Sequence, residues 1–236
     1  MQIRLLALAA LAVASAHAHA DTIALWDYSA TPTTTKHTQS TNGASFATVG
    51  GITTSFASGV TNQALNTSTY GAAATTPSGT RGVQFNVDTT GYMDVVLSFA
   101  QRDSSTASAW TTLQYTLDGN TWNTATNFQM PNGGSNPSFL TGRTYDFSSI
   151  EAVDNNSLFG VRLLAIYAPG TSSYVAANAS TGSIYSSTGT IRYDNVLFSG
   201  EALPDVPAPI PEPQTYALML AGLTAVGLLA RRRRAN

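Results

Sequence analysis

A chain of 236 residues with 43% hydrophobic and only 10% charged side chains has enough apolar material for a core, yet far less charge than the roughly 25% of an average soluble protein. Its formal net charge of −2 hides a segregation: residues 21–210 carry twelve acidic side chains against six basic ones, and four arginines at positions 231–234 restore the balance. An acidic body argues against nucleic acid as a partner, because phosphate binding needs a basic surface, and the lack of cysteine excludes disulfides, thiolate metal sites and a thiol nucleophile.

The chain opens with "MQIRLLALAALAVASAHAHADT": one positive charge at Arg4, an apolar run over residues 5–14, then Ala18-His19-Ala20. A charged start, an apolar middle and an A-x-A ending predict a secretory signal peptide over residues 1–20, with the mature chain starting at Asp21. About ten strongly apolar residues are too few to span a bilayer. His17 and His19 leave with the peptide, so His37 is the single histidine of the mature chain.

Residues 21–202 read as one all-β domain, a single antiparallel β-sandwich of jelly-roll type. "GVQFNVD" places Val83, Phe85 and Val87 on one face and Gln84, Asn86 and Asp88 on the other. Thr90-Gly91 ends that strand, and "YMDVVLSFAQ" sends Met93, Val95, Leu97 and Phe99 inward. "WTTLQYTLDGNTW" alternates through Leu113, Tyr115 and Leu117 and carries the strongest hairpin signal, Asp118-Gly119. "SSIEAVDNN" predicts one or two helical turns, with Ser148 and Glu151 at capping-box spacing and Asn155-Asn156 as the stop. "LFGVRLLAIYA" is apolar on both faces near its centre, as an inner strand is. "GTIRYDNVLFSG" is the last strand, and "TIALWDYS" near the start is predicted to lie beside it. "TPTTTKHTQSTNGAS" and "QALNTSTYGAAATTPSG" read as long polar loops.

Five prolines in "LPDVPAPIPEP", residues 203–213, predict an extended spacer. No charge interrupts residues 214–230, which predicts a transmembrane helix flanking the body. Seventeen helical residues span about 25 Å, slightly short of a ~30 Å hydrocarbon core, and snorkelling arginines make up the difference. Arg231, Arg232, Arg233 and Arg234 form a membrane stop in a cytoplasmic tail, residues 231–236, which orients the helix by the positive-inside rule. The expected location is therefore an exported body, anchored in the inner membrane through this helix before release to the surface.

A Pro-Glu-Pro triplet, Pro211-Glu212-Pro213, followed at once by a short apolar helix and an arginine cluster resembles the PEP-CTERM sorting signal of Gram-negative bacteria that make extracellular polysaccharide. The resemblance implies that Pro211, Glu212 and Pro213 are recognised and processed by a membrane-embedded, transpeptidase-like exosortase, and that the helix is a transient anchor. The stretch "DFSSIEAVDNNSLFGVRLLAIYAPGTSSYVAA" with "GTIRYDNVLFSG" is similar to the C-terminal part of jelly-roll modules in bacterial secreted proteins, which supports the fold alone.

Hydrolytic chemistry needs a nucleophile with a base, a carboxylate pair or a metal. His37 lies in a Thr-rich stretch that reads as loop, and no catalytic or nucleotide-binding motif occurs. The expectation is a non-enzymatic surface protein without a cofactor, associated with extracellular polysaccharide. The alternative is a carbohydrate-binding module, with Trp110 and Trp122 stacking on sugar rings and a structural calcium. That ion would take Asp27, Asp194, Asn195 and backbone carbonyls, since Ca²⁺ gathers six to eight oxygens. Against these stand two ordinary roles: tryptophans packing the core, and aspartates bonding loop amides.

Overall fold

The computed structural model describes residues 20–28, 39–131, 138–204, 218–223 and 231. Twelve strands run in chain order: β1 (Ala20–Trp26), β2 (Gln39–Ser40), β3 (Ala44–Val49), β4 (Thr53–Ser58), β5 (Gln63–Ser68), β6 (Arg81–Val87), β7 (Tyr92–Asp103), β8 (Trp110–Thr116), β9 (Asn123–Gln129), β10 (Leu140–Asp146), β11 (Gly160–Ala165) and β12 (Ile191–Ala202). They form two sheets. The seven-stranded one has the order β10-β7-β12-β1-β2, with β5 also pairing β12 and β4 outside β5; the five-stranded one has the order β3-β6-β11-β8-β9. Every pairing between these strands is antiparallel.

Period-two patterning places the core. Val83, Phe85 and Val87 of β6 are buried while Gln84 and Asn86 are half-exposed. Val95, Leu97 and Phe99 of β7 are buried as predicted, but Met93 is only half-buried. Asp94 adopts φ 52°, and the register with β12 shifts beside it, so alternation is reset there. Strand β11 lies between β6 and β8, which explains its apolar character on both faces. Trp26 sits at the centre of the core, edge-on to Phe85 of the other sheet at 4.8 Å and to Phe198 of its own at 6.1 Å. Phe147 meets Phe159 edge-on at 5.2 Å. Burying each such ring stabilises the fold by about 1.5–3 kcal/mol.

First and last strands pair as expected: Trp26 lies opposite Val196 and Ala20 opposite Glu201. The Asp118-Gly119 connection joins β8 to β9, with Gly119 at φ 76° and the Asp118 carboxylate accepting from the backbone N–H groups of Asn120 and Thr121. Those donors hold Asp118 well below the ordinary carboxylate range.

Two expectations are corrected. Residues 63–68 form a strand, not a loop, because Ala64, Leu65 and Thr67 turn inward and the backbone pairs with both β4 and β12. The predicted helix is a single 3₁₀ turn, Glu151–Val153, without a side-chain cap. The backbone N–H of Ser148 instead donates to Asp146 Oδ1, and Asn155 ends the turn at φ 51°.

Candidate functional site

The pairing of β1 with β12 brings Asp27 to Asp194, as the strand prediction required: the charge of Asp27 is among the influences raising the Asp194 pKa, after burial. Asp194 is 1% exposed. Its Oδ2 accepts from the Val60 N–H at 2.7 Å and its Oδ1 from the Asn195 N–H at 2.8 Å. Asn195 contributes this amide from a left-handed backbone, φ 48°, at the point where β12 shifts register against β7. Gly59 makes the close approach possible, since a Cβ there would lie 2.5 Å from Asp194 Oδ2. The two carboxylates are thus close enough to interact electrostatically, and that of Asp194 is already bonded to loop amides. Among the described residues no group of three or more acidic or histidine side chains gathers as metal ligands.

The three tryptophans separate. Trp26 is core. Trp110 is half-buried against Ala109, Met130 and Ala177 at one end of the five-stranded sheet. Trp122, half-buried on the β8–β9 connection, carries the Arg162 guanidinium 3.8 Å above its ring. That contact ends a continuous chain of hydrogen bonds on the outer face of the sheet. Arg162 Nε donates to Gln84 Oε1 at 2.8 Å, Gln84 Nε2 donates to Asn86 Oδ1 at 2.8 Å, and Asn86 Nδ2 donates to Ser45 Oγ at 3.1 Å. Strand register makes this row: Arg162 lies opposite Gln84 on one side and Gln114 on the other. At its far end Ser45 and Asn86 line a cavity of about 320 Å³ together with Asn42, Asp88 and Ser157. Burial lowers the Arg162 pKa, with no charged partner offsetting it. Sequence reading singled out Trp122 but missed Gln84, Asn86 and Arg162. Their signal was the polar half of two alternating strands, which became a row only once β6 and β11 were paired.

The predicted tail lies largely outside the described residues, including Pro211, Glu212, Pro213 and Arg232 to Arg234, as do residues 1–19 and His37. Residues 218–223 are helical, with Leu218, Met219, Leu220 and Leu223 exposed, and Arg231 is helical and exposed. Among the described residues no helix is long and apolar enough to cross a membrane.

A family profile for the PEP-CTERM protein-sorting motif matches residues 209–234. The chain carries a PEP-CTERM sorting signal. The PEP-CTERM match takes in Pro211, Glu212, Pro213 and the four arginines, the residues singled out for the sorting role. A PEP-CTERM signal marks an exported protein processed by exosortase. No curated protein matches the chain in sequence. The last strand of the sandwich ends at Ala202 and the motif begins at residue 209.

Proposed function

We propose that the protein is a non-enzymatic component of the cell surface, anchored in the inner membrane through residues 214–230 until exosortase acts, and associated with extracellular polysaccharide through its sandwich. We read that sandwich as of jelly-roll type, since from β5 onward, the β8–β9 hairpin apart, the chain passes back and forth between the two sheets and returns β12 to the side of β1. The observation that carries the polysaccharide reading is the polar track from the 320 Å³ cavity through Asn86, Gln84 and Arg162 to Trp122. Sugars are bound by flat aromatic faces for their C–H groups and by planar amide and guanidinium groups for their hydroxyls. A cavity near 300 Å³ with convergent polar groups is at the small end of ligand sites. Arg162 covers one face of the Trp122 indole and holds the ring, and we assign the other face to the sugar.

A glycan array with the purified protein tests this, with and without calcium. Trp122→Ala is expected to weaken binding of a neutral oligosaccharide about tenfold, the equivalent of roughly 1.4 kcal/mol, while thermal unfolding stays cooperative. Silence of the wild type across the array would remove the polysaccharide association and leave the sorting role. The carbohydrate-binding-module reading adds a structural calcium at Asp27, Asp194 and Asn195, supported by the electrostatic interaction of the two carboxylates. Its mark is a rise in melting temperature on adding calcium that Asp194→Asn abolishes.

A further inference from the structure

On the outer face of the seven-stranded sheet, β7 and β12 place two arginines directly opposite one another: Arg102 pairs in register with Arg192. Like charges at facing positions of an antiparallel pair repel and destabilise the sheet. A carboxylate beside them would relieve this, yet among the described residues neither guanidinium has an ion-pair partner, and burial together with the charge of Arg102 lowers the Arg192 pKa. Asp194 sits two residues from Arg192, but it is buried and held by the Val60 and Asn195 amides, and no arginine contributes to its pKa.

The two side chains differ in how they are held. Arg192 is positioned: its Nε donates to Asn66 Oδ1 at 3.2 Å and its Nη1 to the Ser58 carbonyl at 3.1 Å. Arg102 has a buried Nε with no hydrogen-bond partner among the described residues. A buried donor of a charged group is costly to leave without an acceptor, so this arrangement asks for one. Between them opens a cavity of about 260 Å³, lined by Ser58, Gly59, Arg102, Phe139 and Arg192. Two guanidinium groups facing one cavity match the planar or tetrahedral oxygens of carboxylate, sulfate or phosphate. Phe139 on the wall supplies an apolar surface that suits the carbon skeleton bearing such a group.

We propose that this cavity is an oxyanion site, taking the carboxylate or sulfate of an acidic polysaccharide between Arg102 and Arg192. It lies on a different sheet from the track ending at Trp122, so it stands whether or not that track binds sugar. The surrounding acidic body repels polyanions in general, which confines capture to this pair.

The test is thermal unfolding and calorimetric titration of the full chain in detergent, with sodium sulfate, with oligogalacturonate and with neutral dextran oligomers, for wild type, Arg102→Gln and Trp122→Ala. The expected result is that sulfate and oligogalacturonate raise the wild-type melting temperature and dextran oligomers raise it no further at this site. Arg102→Gln melts at or above the wild type in anion-free buffer, because repulsion is relieved, and loses at least about tenfold in anion affinity. Trp122→Ala keeps the anion response, which separates this site from the track. Tighter binding of oligogalacturonate than of sulfate assigns the ligand to a glycan; equal binding assigns it to free anions and keeps the site. Absence of any anion response in the wild type, or an unchanged response in Arg102→Gln, overturns the proposal.

Discussion

Asp103 shows how far a single buried group can set the pH response of the molecule. It is fully buried on β7, its Oδ1 accepts from Gln101 Nε2 at 2.9 Å, and its Oδ2 has no hydrogen-bond partner among the described residues. Burial pushes its pKa up to about 7, against the weaker opposing effects of Gln101 and of Arg143. Tyr70 and Tyr193, both raised by burial, complete the titratable surroundings. The folded state therefore binds the proton more tightly than the unfolded chain does. Stability attributable to this group is fully present below the ordinary aspartate pKa, falls as pH rises through the interval up to about 7, and is level above it. Asp103→Asn is expected to flatten the melting temperature over pH 4–7 and to exceed the wild type at pH 8. A wild-type curve that rises across that interval instead would show Asp103 ionised and satisfied in the fold. Nothing in "SFAQRDSS" marks this aspartate in the sequence, because its neighbours Ile191 and Arg143 come from β12 and β10, far along the chain.

Among the elements, β5 is the instructive one. Its composition, "QALNTS", is that of a polar loop, and it reads as one. Its strand character comes from two neighbours, β4 and the first residues of β12, which satisfy its backbone on both sides. Leu65 then points into the core, fully buried. Leu65→Ala is expected to destabilise the protein by about 2–5 kcal/mol, as for a core leucine, measured by urea unfolding. A cost under about 0.5 kcal/mol, the level of an exposed loop substitution, would show residues 63–68 to be peripheral. Strands β6 and β7 were legible from alternation, since each has a buried and a wetter face, and β11 from its apolar run. The weaker edge strands β3, β4 and β9 carry polar side chains on much of both faces and leave no such period. The short helix expected at "SSIEAVDNN" is cut to one 3₁₀ turn, with Asp146 holding the Ser148 amide that the capping box needs.

At the scale of the whole molecule, the exported sandwich and the PEP-CTERM signal have separate tasks. The sandwich has its own core from Ile23 to Phe198. Sorting is thus expected to fail without unfolding when the motif is changed. Replacing Pro211, Glu212 and Pro213 together by alanine should leave an unprocessed chain in the membrane fraction, read by intact mass and fractionation, while the sandwich keeps its melting temperature. Processing that continues unchanged would show that the triplet is not what exosortase reads.

The address of this protein was written in local sequence: Pro211-Glu212-Pro213, an uncharged run and four arginines are contiguous, and a sorting enzyme reads contiguous chain. Fold class was equally local, because period-two alternation follows from the geometry of one extended strand. What Gln84, Arg162, Arg102 and Arg192 do was decided only by tertiary structure. Each pair is separated by some eighty or ninety residues of chain, and only strand register sets Arg162 beside Gln84 and Arg102 against Arg192. Register is chosen by the buried face of each strand, so the polar partnerships on the outside are a consequence of how the core packs.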